Sequence, residues 1–378
     1  MGFIIENARI YTMAGEIIEN GFVCVENGKI ADVGSMENAP EGERFNANGG
    51  ILLPGLIDAH THIGLFNEGM RFEGEDGNED TDPITPHLRA LDGIYPQDIA
   101  FNEAALAGVT TVVTGPGSAN PIGGTFAAIK TRGVCVDDMA INPSAAMKFA
   151  FGENPKISYN SKERSPVTRM ATAALIRETL FKAQEYADSR LDEEDCDFDM
   201  KLEAILPLLD GELIAQMHAH RADDIFTAIR ISREFDIDMA LVHATEGHLI
   251  AEKIAEAKVP VICGPMLNSR SKPELAHQTV KNAAILAKAG VKCALCTDHP
   301  EVPQNYLMLS AALAAAEGVG EYEALAMITI NAAEIAGIET RVGSIEVGKD
   351  ADFVLYAGHP FDTRSKVSGV WIDGERIV

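Results

Sequence analysis

Six side chains able to bind a metal stand at the ends of apolar runs. "GLIDAHTHIG" (55–64) closes on His60 and His62, "QMHAHRADD" carries His218 and His220, "MALVHATEGH" carries His243, and "CALCTDHPEVP" reaches Asp298. In a strand, residues i and i+2 share a face, so His60 and His62 aim two ring nitrogens at one point. His218 and His220 repeat the device. Neutral imidazole with carboxylate suits zinc, and also manganese, iron or cobalt. A single such histidine is usually a hydrogen-bonded core residue. Four separate runs that each end in a donor are hard to obtain from core packing, and together they predict a metal centre. His299, directly after Asp298, is placed to line the same pocket.

Donors this far apart in sequence need elements that bring them together. Between about 53 and 337, apolar runs at 51–59, 110–114, 145–151, 212–217, 239–243, 259–263 and 292–297 read as strands. Helical patterns intervene at 166–190, 221–235, 248–257, 279–289, 304–317 and 321–337. Repeated strand–helix units of this length predict a parallel α/β fold, a (β/α)8 TIM barrel spanning 55–339. All strands of such a barrel end on one face, where the six donors would converge. Residues 1–54 and 340–378 have another texture, with β-branched runs cut by Asn-Gly and Asp-Gly turns. They predict one small β domain assembled from both termini. No G-x-G-x-x-G opens a helix and no Walker sequence is present; the glycine-rich stretch 114–124 reads as an irregular loop.

The chain has 378 residues and is 46% hydrophobic, ample for such a core. Its 31 basic against 57 acidic residues give a net charge of −26, which repels phosphate backbones and anionic lipid. No nucleic-acid or membrane partner is therefore expected. Cysteines at 24, 135, 196, 263, 293 and 296 lack the density of a disulfide framework and suit a reducing compartment. The Cys293–Cys296 pair reads as core. No basic N-terminal region precedes a long apolar stretch, and no segment approaches the about 18 apolar residues of a membrane span. A cytoplasmic protein is expected.

"LLPGLIDAHTHIG" (52–64), "EAALAGVTTVV" (103–113), His218, His243, "CTDHP" (296–300) and "GSIEVGKDADFVLY" (343–356) together resemble the amidohydrolase superfamily. The resemblance covers nearly the whole chain and is strongest for the imidazolonepropionase-like branch, which includes metal-dependent dipeptidases. It implies a distorted barrel beside a β-sandwich made from both termini. It also implies one or two divalent metal ions, zinc first. By position, His60 and His62 would hold the more buried metal with Asp298, and His218 and His243 the second. His220 would then be a catalytic pocket residue. Two candidates for a bridging ligand stay open in "AAMKFAFGENPK": Lys148, carboxylated in place, or Glu153 at the strand exit. If neither binds, the site holds a single metal.

The implied chemistry is hydrolysis of a C–N bond in a small cyclic amide or dipeptide-like substrate by a metal-activated hydroxide. Asp298 would take the water's proton and return it to the leaving nitrogen; His243 or His220 would stabilise the oxyanion. A heterocycle deaminase on the same scaffold and a metal-free assembly protein are the alternatives. A small-molecule substrate is the expected partner, in a chain that can form homo-oligomers. The acidic core 73–82 of the long loop 65–98 is either a solvated lid tip or a recognition element for a cationic group. Lys156, Lys162, Arg164 and Arg169, or Asn268, Ser269 and Arg270, could hold a substrate carboxylate.

Overall fold

The computed structural model describes residues 2–15, 17–191 and 197–378. Cys196 lies outside the described residues. Both chain ends enter one eight-stranded sheet. Strands β1 (Phe3–Tyr11), β2 (Ile17–Glu26) and β3 (Lys29–Ser35) form an antiparallel meander. Asn27 and Gly28, both at positive φ (50° and 77°), make the tight turn between β2 and β3. Positive φ at both central positions is what a type I′ hairpin requires, and Asn-Gly meets it at least cost. β4 (Arg44–Asn46) and β5 (Ile51–Pro54) run parallel to β1.

The barrel follows as β6 (Leu56–Thr61), β7 (Val109–Thr114), β8 (Ile122–Lys130), β9 (Ala140–Ala150), β10 (Ile214–Ala219), β11 (Met239–His243), β12 (Val261–Cys263) and β13 (Cys293–Leu295). The C-terminal β14 (Phe353–Tyr356), β15 (Val367–Ile372) and β16 (Glu375–Arg376) return to the first sheet, where β14 pairs with β5. Ile5, Ile10, Val23, Leu52, Phe353 and Trp371 give that sheet its own apolar cluster.

The distortion of the barrel takes a definite form. Its strands pair in chain order from β6 to β13, but β8 runs antiparallel to both neighbours. The β7–β8 connection (115–121) is too short for the dozen or more residues of a parallel crossover, so the chain must turn straight back. The pattern at 114–124 reads as loop, yet its last three residues open β8, and no strand is expected from the sequence over the rest of it. β6 and β13 share no strand ladder; they close the ring just beyond β13, where Asp298 N donates to His60 O at 3.2 Å and His62 N to His299 O at 3.0 Å. Asp58 braces this seam, accepting from the Thr297 amide at 3.1 Å and from Gln304 Nε2 at 2.7 Å.

The same seam explains a broken helix. The pattern at 321–337 forms two helices, Glu321–Ala326 and Ile330–Ile335. Between them the carbonyls of Met327 and Ile328 accept from the amides of Leu295 and Ile57. Those carbonyls finish the sheet instead of the helix.

Cys263, Cys293 and Cys296 are buried free thiols in β12, β13 and just after it. Among the described residues no helix is long and apolar enough to cross a membrane.

Candidate metal centre

Five imidazoles and one carboxylate meet where the barrel strands end. The facing atoms of His218, His220 and His243 lie within 4.8 Å of one another, as do those of His60, His243 and Asp298. Asp298 Oδ1 is 3.2 Å from His62 Nε2 and 3.7 Å from His60 Nε2; Oδ2 is 4.0 Å from His243 Nε2. Asp298 and His243 hold positive φ (55° and 70°), a conformation non-glycine residues keep only where their surroundings enforce it.

The proton positions follow from the outer hydrogen bonds. His62 Nδ1 faces the carbonyl of Gly115 at 2.7 Å, and His243 Nδ1 that of Gly264 at 2.8 Å. A carbonyl only accepts, so both rings carry their proton on Nδ1 and present an Nε2 lone pair to the centre. His60 Nδ1 meets Gln216 Oε1 at 2.5 Å, while Gln216 Nε2 donates to Ala59 O at 3.2 Å. That bond orients the amide with its oxygen towards His60 and fixes the same tautomer. His220 differs: its Nδ1 faces the Thr245 hydroxyl at 2.7 Å, which serves either tautomer. Burial holds His60, His218 and His220 well below the ordinary imidazole pKa and pushes His243 down to about 4, so these rings are neutral at pH 7. Asp298 is held below the usual carboxylate range against its own burial by His243, His62 and His60 when those rings are protonated; among neutral rings a cation would take over that part.

These residues fit a divalent cation. Three fixed lone pairs surround an ionised carboxylate, and acceptors so close together need a cation among them. Both nitrogens of His218 are buried without a hydrogen-bond partner, a costly state that a coordinate bond would relieve.

Lys148, not Glu153, stands against the histidines. It lies opposite Gln216 in the β9–β10 pairing, fully buried, with Nζ 3.2 Å from His60 Nε2. Burial pushes its pKa down to about 8. Glu153 is carried away because Gly152 (φ 86°) turns the chain out of the strand; Glu153 then opens the helix Glu153–Asn160, its Oε2 accepting from the amide of Glu274 at 3.3 Å.

A pocket of about 410 Å³ opens over the cluster, lined in part by His62, His218, His220, Asp298 and Asn268. Other sequence candidates sit elsewhere. Arg270 is exposed and donates to the carbonyls of Ala276 and Gln278. His299 is buried behind Asp298, with neither ring nitrogen hydrogen-bonded, and does not line this pocket. Arg169 pairs with Asp224 at 2.9 Å. Lys162 pairs with Asp80, Arg164 donates to Thr81 O, and Lys201 pairs with Asp82. The acidic loop is thus tied down by the chain's own cations, which also removes Arg164 from the pocket.

Three residues of the site escaped the sequence reading. Gln216 had a signal, since it precedes His218 by two positions and shares its strand face. Lys272 and Glu274, in the loop after β12, had none.

A parallel-type barrel with imidazoles and a carboxylate at its mouth is a metal-hydrolase scaffold. The family model described as the amidohydrolase family matches residues 212–377. The chain is 43% identical to an amidohydrolase from Thermotoga maritima MSB8 of known crystal structure, covering 100% of this chain and 99% of that one with a TM-score of 0.95. It is 29% identical to the amidohydrolase tasK of Hapsidospora irregularis over 94% of its own length, but spans only 39% of that longer protein. It is 26% identical to an imidazolonepropionase of Sphingopyxis alaskensis, covering 93% of this chain and 90% of the relative. The chain belongs to the amidohydrolase family. It is a hydrolase of C–N bonds other than the ordinary peptide bonds of proteins, in a family that works with divalent metal ions.

Proposed function

We propose that the protein hydrolyses the C–N bond of a small polar amide, of cyclic-amide or dipeptide-like size. One observation carries this reading: neutral imidazoles and an ionised carboxylate converge on the floor of an open pocket. His60, His62 and Asp298 would hold one ion, and His218 and His243 a second. Lys148 would bridge them as a carbamate, its neutral amine adding to carbon dioxide with release of one proton. A pKa near 8 supports this, because it leaves a usable fraction of free amine at neutral pH. Zinc matches the donor set. A divalent ion there supplies Lewis acidity, polarising the carbonyl and lowering the pKa of water from 15.7 towards about 7.

The chain's own groups do the rest. Asp298, ionised across the physiological range, takes the proton of the attacking water and delivers it to the leaving nitrogen. His220 would act in its Nε2–H tautomer, which the Thr245 hydroxyl allows by donating to Nδ1, and hydrogen-bond the developing oxyanion.

Metal analysis of the purified protein, together with a screen of cyclic amides and dipeptides, tests the reading. We expect about one or two equivalents of divalent metal, lost in His60→Ala, and release of an amine. Protein without metal after growth in metal-rich medium, and inert towards every amide, refutes it. Ammonia released from a heterocycle would instead assign a deaminase.

A further inference from the structure

Among the described residues that line the pocket, Lys272 is the one lysine or arginine. Glu274 Oε1 forms an ion pair with its ammonium at 2.8 Å, and Asn154 Oδ1 accepts a hydrogen bond from it at 3.1 Å. Both are themselves fixed. The Glu274 side chain is 1% exposed and accepts the Glu153 amide at 3.1 Å; Asn154 Nδ2 donates to Ser118 Oγ at 2.7 Å. An ammonium has three donors, so this ion pair and this hydrogen bond leave at least one for a ligand. Glu274 Oε1 also lies 3.5 Å from His220 Nε2, so the ammonium sits no further from that ring than the two contacts combined.

The geometry points to Lys272 as the carboxylate-binding residue of the substrate pocket. The substrate class is an acylated amino acid whose leaving amine carries a free carboxylate. This rests on the amide-hydrolase reading above. In such a substrate the carboxylate carbon lies about 2.5 Å from the acylated nitrogen. That short span suits a cation beside the histidine cluster and not one at the rim. The pair with buried Glu274 also makes Lys272 a positioned donor, so a ligand need not order a mobile surface chain. Of the basic candidates read from the sequence, Arg164 and Arg270 are engaged with carbonyls, Lys162 with Asp80 and Arg169 with Asp224.

The test uses N-acetyl amino acids and their matched carboxamides with the metal-loaded protein. Binding is followed by calorimetry and hydrolysis by amine release, for wild type, Lys272→Met and Lys272→Arg. Wild type should prefer the acid by at least about tenfold, mainly in KM, as a charge-assisted hydrogen bond implies. The preference should fall to within about twofold in Lys272→Met and return in part in Lys272→Arg, with metal content unchanged in both. Equal use of acid and carboxamide by wild type, or a preference that survives Lys272→Met, overturns the proposal while amide hydrolysis stands. Lys272-dependent binding of acids without any hydrolysis would sink the amide reading and leave the carboxylate site in place. No difference in binding and no hydrolysis would sink both.

Discussion

Replacing Lys148 by methionine should stabilise the metal-free protein and damage the metal-loaded one. Lys148 is fully buried among histidines and above the Phe126 ring, and burial lowers its pKa from 10.5 to about 8. At about 1.4 kcal/mol per tenfold change in proton affinity, that difference is worth about 3 kcal/mol. The sign follows from proton linkage. Below pH 8 both folded and unfolded chains carry the ammonium, and the folded state bears the whole penalty. Between pH 8 and 10.5 the folded lysine is neutral while the unfolded one still binds its proton, so stability rises with pH. Above 10.5 the penalty is gone. Methionine has no such charge and similar bulk, so the advantage of Lys148→Met should be about 3 kcal/mol at pH 7 and fade towards pH 10.5. Urea denaturation of chelator-treated wild type and Lys148→Met, at intervals from pH 7 to 10, measures it; shared titrations cancel in the difference. With metal restored the order should reverse, because an ion that binds the folded state stabilises wild type more than a variant that keeps the histidines but has lost the bridging ligand. A difference that stays constant across this pH range, or no reversal with metal, would show that Lys148 is neither strained by burial nor part of the metal site.

Three further outcomes are expected. Asp298→Asn should keep the fold by circular dichroism but lower turnover about a hundredfold to ten-thousandfold, the range for losing a positioned acid–base group. Near-normal activity would remove its role. Gln216→Leu touches no metal directly, yet should weaken metal binding about 10- to 100-fold in a competition titration, because it frees His60 to change tautomer. Asp58→Ala should cost about 3 kcal/mol and lower the melting temperature, since it strands the buried Thr297 and Gln304 donors at the barrel seam.

Much of the centre was legible in the sequence because strand periodicity is local. Spacing of two placed His60 with His62, and His218 with His220, on common faces before any fold was known. Strands ending at His243 and just before Asp298 supplied the remaining donors, and the parallel barrel made their convergence a consequence of topology.

Tertiary structure decided what no local pattern encodes. The pleat of β9 turned Lys148 inward and the left-handed Gly152 carried Glu153 away, although both fit the same motif. A short connection reversed β8, and the barrel seam drew the Met327 and Ile328 carbonyls out of a helix that their own residues favour. Lys272 lines the pocket, paired with buried Glu274, only because the loop after β12 packs against the helix that Glu153 begins. Periodicity reports which side chains share a face. Which faces meet, and which backbone groups complete one another, depends on pairings between residues more than 100 positions apart.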